Sequence, residues 1–150
     1  MSTVSVTIND RELRRGLRAL EMAATDMTPA MRKIAGTLQT ETALNFEDEG
    51  RPKWVVSQAA EDRGGQTLRD KGLLANSVTT DYDSSHSVIG TNLVYGAIHQ
   101  LGGKAGRNES VELRSRPYLP VDADGELQPE AVRSVLDMIQ RHLESSAAHG

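Results

Sequence analysis

From residue 11 to residue 24 the chain reads as a helix with two opposed faces. Leu13, Leu17, Leu20 and Ala24 recur at the spacing of one helical face. Arg11, Arg14, Arg15 and Arg18 recur at i, i+3, i+4 and i+7 on roughly the opposite side, at about 100° per residue. The apolar face requires a partner layer inside the protein, and the basic face is left to solvent or to another molecule. Two further helices supply that layer. Thr28-Pro29 reads as a cap followed by proline at the first helical position, and Met31, Ile34, Ala35, Leu38 and Phe46 then fall on one stripe that should end near residues 47–50. Pro129 opens a last helix whose Val132, Val135, Leu136, Ile139 and Leu143 keep the 3.6-residue period, with residues 145–150 expected as a frayed tail.

Between and before these helices the pattern changes to period two. Val4, Val6 and Ile8 alternate with polar residues as in a half-buried strand, and Asn9 or Asp10 can cap the helix that follows. Residues 78–82 and 87–90 predict two strands joined by a tight turn at 83–86. Asn92 is expected to cap another helix, with Val94, Ile98 and Leu101 on its inner face and Gly102-Gly103 as its stop. Residues 50–67 predict an irregular loop, Asp70 a cap for a short helical turn through Leu73 and Leu74, residues 103–114 a flexible loop and Pro117–Val121 a short extended piece. The fold expected is α+β: one small domain over residues 1–150, with N-terminal helices, a β-hairpin or small antiparallel sheet, and a C-terminal helix.

Composition limits how such a domain is stabilised. Aromatic residues make up 3% and hydrophobic residues 37% of the 150 residues, so the core must be built from Leu, Val, Ile, Ala and Met. A subunit that shares core-like surface with copies of itself suits these proportions. The net charge of −4 gives no global pull toward nucleic acid or an anionic membrane. With no cysteine, the sequence excludes disulfides, thiolate zinc sites and a cysteine nucleophile. The first residues lack a secretion signal, and no run approaches the roughly 20 apolar residues that cross a bilayer. No membrane partner is expected, and synthesis is expected in a cytoplasm.

Catalytic and cofactor signals are weak throughout. His99 lies one turn after Tyr95 and is the residue to consider as a general base, but no nucleophile or acid is placed beside it by spacing. A small hydrolase built on His99 is the remote alternative; a half-buried histidine bonded to backbone or to a neighbour is the simpler reading. HExxH, GxGxxG and the Gly-Lys-Ser/Thr ending of a phosphate loop are absent, and Asp122-Ala123-Asp124-Gly125-Glu126 places its glycine wrongly for a calcium loop. No metal and no cofactor is expected. The stripe of Arg11, Arg14, Arg15 and Arg18 is the sharper feature: a solvated face, or one that lines a DNA channel or meets an acidic partner.

Four stretches, in order, carry a likeness. They are Phe46 followed by Gly50, Pro52 and Trp54; Lys71-Gly72-Leu73-Leu74 with Ser77; Ile89-Gly90-Thr91-Asn92 with Tyr95, Ala97, Ile98, His99, Gln100 and Gly102; and Arg116-Pro117-Tyr118-Leu119. From Phe46 to Leu119 the sequence thereby resembles the phage virion-morphogenesis and tail-completion family of Mu-like and P2-like phages. It departs from the family pattern at Gly96, where alanine is usual, and at Val55-Val56-Ser57, which replaces a polar-leucine pattern after Trp54. The resemblance implies a non-enzymatic structural protein of the neck, with a tail-completion or tail-terminator role. It would be made in the host cytoplasm and would assemble as a homo-oligomeric ring, expected to be a hexamer, that joins tail to head in the virion. Its partners would be other neck and tail proteins, with non-specific contact to packaged DNA a further expectation. A head-side adaptor or stopper, or a transient morphogenesis factor absent from the mature virion, is the alternative. On this reading Trp54, Tyr95, His99, Gln100, Arg116 and Tyr118 are candidates for the subunit interface, and the arginine stripe for a DNA-channel or partner-facing surface.

Overall fold

The computed structural model describes residues 11–55, 72–93, 95–105, 108, 111–122 and 126–149. The strand expected at residues 4–8, its capping residues and Asp70 lie outside them. In chain order the elements are α1 (Arg11–Ala23), α2 (Thr28–Glu47), α3 (Leu73–Ser77), β1 (Thr79–Tyr82), β2 (Ser87–Gly90), α4 (Gly96–Leu101), β3 (Gly103–Ala105), β4 (Val111–Leu113) and α5 (Pro129–His149). The α+β class is as the sequence predicts.

The three long helices pack on one another as their stripes require. Leu13 and Leu20 of α1, Ala30, Met31 and Ile34 of α2, and Val135, Met138 and Ile139 of α5 form one buried cluster, with Leu17, Leu38, Leu136 and Leu143 at its margin. Full burial of a Leu or Ile side chain is worth roughly 1.5–3 kcal/mol, so this face supplies most of what holds α1 in place. All four arginines of the stripe are exposed. At the start of α2 the N-cap position falls on Met27, one residue before the expected Thr28, and makes no side-chain cap bond. Thr28 is already helical, and its N–H and hydroxyl both donate to Asp26 Oδ1, at 3.0 and 2.8 Å. These bonds, backbone first, hold the Asp26 carboxyl below the usual carboxylate range.

The hairpin is antiparallel, pairing Thr79 with Gly90 and Tyr82 with Ser87. Its turn is tied by Asp83, whose Oδ1 accepts from the backbone N–H groups of Ser85 and His86 at 2.8 and 2.7 Å. The Ser87 hydroxyl donates to the Met31 carbonyl at 2.6 Å, fastening β2 to α2.

Four expectations are corrected. Residues 103–114 are not irregular throughout: Gly103, Lys104 and Ala105 pair with Leu113, Glu112 and Val111 in a second antiparallel ladder. Residues 145–149 continue α5. The short helix α3 is preceded by Gly72 in a left-handed conformation. Helix α4 begins at Gly96, four residues after Asn92, and its inward side chain is Gln100; Leu101, expected inside, is 53% exposed. The stop at Gly102 is as expected: its φ is +74°, and a Cβ there would stand 2.7 Å from the Ser115 nitrogen. Val94 is outside the described residues.

Candidate functional site

Described residues from all four stretches gather around Phe46 at the far end of α2. Phe46 packs edge-on to Trp54 (ring centroids 5.9 Å apart) and beside Tyr118 (5.5 Å). Leu74, Val78, Leu119 and Val121 complete this second buried cluster. The loop leaving α2 turns at Gly50 with φ +99°, where a Cβ would lie 2.5 Å from the Trp54 ring. No other residue fits that corner. Trp54 N–H donates to the Glu49 carbonyl at 2.8 Å, and its indole Nε1 donates to the Pro117 carbonyl at 3.1 Å. The first and last stretches are therefore stitched together, although 63 residues separate Trp54 from Pro117.

Gln100 does the same for the third stretch. Its Oε1 accepts from the N–H groups of Tyr118 (3.0 Å) and Leu119 (2.9 Å), and its Nε2 donates to the Val121 carbonyl at 3.0 Å. The irregular segment after Pro117 has no sheet partner for those groups, and one fully buried amide side chain replaces it. Tyr118 Oη donates to the Gly96 carbonyl at 2.8 Å, and burial pushes its phenol up to about 12. The second stretch joins through Ser77 and Thr91, whose hydroxyls lie 2.6 Å apart.

Four of the six interface candidates are thus inside the subunit. Trp54, Gln100, Arg116 and Tyr118 are buried, and their polar groups are engaged by their own chain: Arg116 N–H donates to the His99 carbonyl at 2.8 Å, and its Nε donates to the Val55 carbonyl at 2.9 Å. Arg116 has no carboxylate within ion-pair distance among the described residues. Tyr95 and His99 are left at the surface, where Tyr95 is 37% exposed and its ring meets the imidazole edge-on at 5.6 Å. His99 is half-buried; its Nδ1 is buried and has no hydrogen-bond partner. Burial, and then the charge of Arg116, push its pKa below the ordinary histidine value.

A second polar assembly lies on α2 and α5, and the sequence reading passed over it. Arg51 Nη2 pairs with Glu41 Oε2 at 2.7 Å, and its Nε donates to Asn45 Oδ1 at 2.8 Å. Asn45 Nδ2 in turn donates to the Tyr118 carbonyl and to Gln128 Oε1, both at 2.9 Å, and the Ser134 hydroxyl donates to Glu41 Oε1. Glu41 and Asn45 continue the spacing of Ile34 and Leu38, so polar residues at core positions were the available signal. Beside this network a groove of about 570 Å³ runs between α2 and α5, lined among others by Glu41, Arg51, Glu130, Arg133 and Asp137. Glu130 Oε2 is buried there with no hydrogen-bond partner. No group of three or more His, Asp or Glu able to hold a metal occurs among the described residues.

The sequence has counterparts among known proteins. A model described as the phage virion morphogenesis family matches residues 8–144. The chain is 37% identical over 142 residues to Mu-like prophage FluMu G protein 2 of Haemophilus influenzae, covering 94% of this chain and 96% of that protein. It is 30% identical over 158 residues to putative capsid assembly protein G of Escherichia phage Mu, covering 95% and 96%. Mu-like prophage FluMu G protein 1 of the same Haemophilus strain is 30% identical over 113 residues, or 67% of this chain and 73% of its own length. No solved structure matches significantly.

Proposed function

The chain belongs to the phage virion morphogenesis family, and from that premise we propose that it is a non-enzymatic ring subunit of the head–tail junction that completes the tail. A structural or assembly role in phage morphogenesis follows from membership and from the Mu-type relatives. The observation that carries the finer reading is how the signature residues are used. Trp54, Gln100, Arg116 and Tyr118 bond to backbone groups of their own chain, and their effect is to brace α4 so that Tyr95 and His99 stand together at its outer edge. An exposed aromatic ring packed edge-on against a half-buried imidazole is suited to docking on another protein surface. A ring would repeat that contact around the junction.

The test is a phage or prophage carrying Tyr95→Ala with His99→Ala. The expected result is normal accumulation of soluble chain, with full heads and unjoined tails in micrographs of the lysate. Infectious particles at the wild-type titre would count against the role of this edge. A second reading is favoured by one relative's name, putative capsid assembly protein G: a factor acting on the head side, or one that leaves before the particle is complete. Mass spectrometry of purified virions separates a retained subunit from such a factor.

A further inference from the structure

We propose that the arginine stripe of α1 docks into the α2–α5 groove of a second copy of this chain, so that the two surfaces together form a head-to-tail contact. The inference rests on the ring reading above and names the surfaces that would close the ring.

Charge supplies the first argument. The groove contributes the carboxylates of Glu41, Glu130 and Asp137 against the guanidinium groups of Arg51 and Arg133. Glu41 is already bonded by Arg51 and Ser134, which leaves Glu130 and Asp137 for an incoming cation. Glu130 Oε2 is buried without a donor, a condition that costs free energy and that the half-buried side chain relieves by turning its carboxylate toward an incoming donor in the groove. Asp137 meets Arg141 at 3.5 Å with both side chains about two-thirds exposed, a pairing of little worth that a better donor displaces.

Spacing supplies the second. Glu130 and Asp137 are seven residues apart on α5, as Arg11 and Arg18 are on α1. At 1.5 Å per residue both pairs span about 10.5 Å along their helices, two turns in each case. Guanidinium is also the cation best matched to a carboxylate, through parallel N–H donors.

Connectivity supplies the third. Helix α1 already uses its apolar face on α5 of its own chain, where Gly16 lies against Leu136 and Ile139, so the stripe points away from the subunit that carries it. Within the subunit no ion pair joins Arg11, Arg15 or Arg18 to a described carboxylate. Two different patches that fit each other make a heterologous contact, which closes into a ring or runs on as a filament. The alternative occupant of the stripe, DNA, leaves the unpartnered Glu130 oxygen without an explanation.

The experiment is sedimentation velocity on charge-reversed chains, with circular dichroism as the check on folding. Wild-type chain should self-associate, more weakly as salt rises. Arg15→Glu with Arg18→Glu, and separately Glu130→Arg with Asp137→Arg, should each weaken self-association at least about tenfold. An equimolar mixture of the two should restore it, because each reversed surface then meets its complement. If the groove variant loses helical signal, Glu130→Gln with Asp137→Asn replaces it and should weaken association in the same direction. Wild-type association unchanged in the stripe variant, or a mixture that stays dissociated, overturns the contact while leaving the ring reading intact. Loss of DNA binding as the stripe variant's sole defect assigns the stripe to DNA and overturns it as well. A wild-type chain that is monomeric at every concentration overturns the contact and the ring together.

Discussion

Helix α2 passes through two regions held together in different ways. Near its start, Ala30, Met31 and Ile34 press against Leu13, Leu20, Val135 and Ile139, apolar side chain on apolar side chain. From Ile34 to Phe46 is 12 residues, about 18 Å of helix, and there Phe46, Trp54 and Tyr118 are interleaved with Asn45, Gln100 and Gln128, whose amides bond to backbone and to one another. Hydrophobic burial is non-directional and tolerates rearrangement. A buried amide network fixes geometry, because each of its members leaves an unsatisfied group behind when it is displaced. The helical region therefore holds the fold together, and the polar-aromatic node sets the exact path of the loops that carry Tyr95 and His99.

Substitutions of matched size separate the two regions most sharply. Gln100→Met keeps the volume but strands the N–H groups of Tyr118 and Leu119 and the carbonyl of Val121, and should destabilise by about 3 kcal/mol or more in urea unfolding. Gly50→Ala forces a methyl into the Trp54 ring at positive φ and should cost about 2 kcal/mol. Leu20→Met, buried in the apolar cluster, should cost less than about 1.5 kcal/mol. Gly36→Ala is expected to change sign: a Cβ there meets nothing within 4 Å on the exposed side of α2, so the variant should gain about 0.5–1 kcal/mol. Trp54 is the sole tryptophan, so its fluorescence reports the node while circular dichroism reports mainly the helices. Gln100→Met should shift the fluorescence transition at least as far as the helical one, and the reverse order would break the distinction.

The smallest effect is that of pH. His99 beside the node and His142 on α5 both have pKa values pushed below the ordinary 6.5, in each case first by burial and then by a cation, Arg116 or Lys33. The unfolded chain takes up protons as pH falls below about 6.5 and the folded chain resists, so stability is lost in that window. Replacing His99 by Asn should flatten part of the loss between pH 7.5 and 5.5, measured as the urea midpoint; an unchanged slope would remove His99 from the account.

What could be read from the residues alone was set by periodicity. The amphipathic helices were legible because one physical signal, the recurrence of apolar residues at helical spacing, dominates there, and the 83–86 turn because it is an all-polar break between two strand-like runs. The node was visible only as a resemblance, since Trp54, Gln100 and Tyr118 are far apart in the chain and no spacing rule links a glutamine to the backbone it serves. The same blindness placed Gln100 at an interface: a polar residue on a short helix looks like surface until its three partners are seen. The β3–β4 ladder was missed because its strands are three residues each, too short for any period to register.

The claim beneath the whole account is that this chain works by being built into a particle. Quantitative mass spectrometry of purified infectious virions, with antibody labelling in the electron microscope, reads it directly. The account predicts a fixed small number of copies per particle, labelled where head meets tail. Infectious particles that contain no copy of the chain would contradict it.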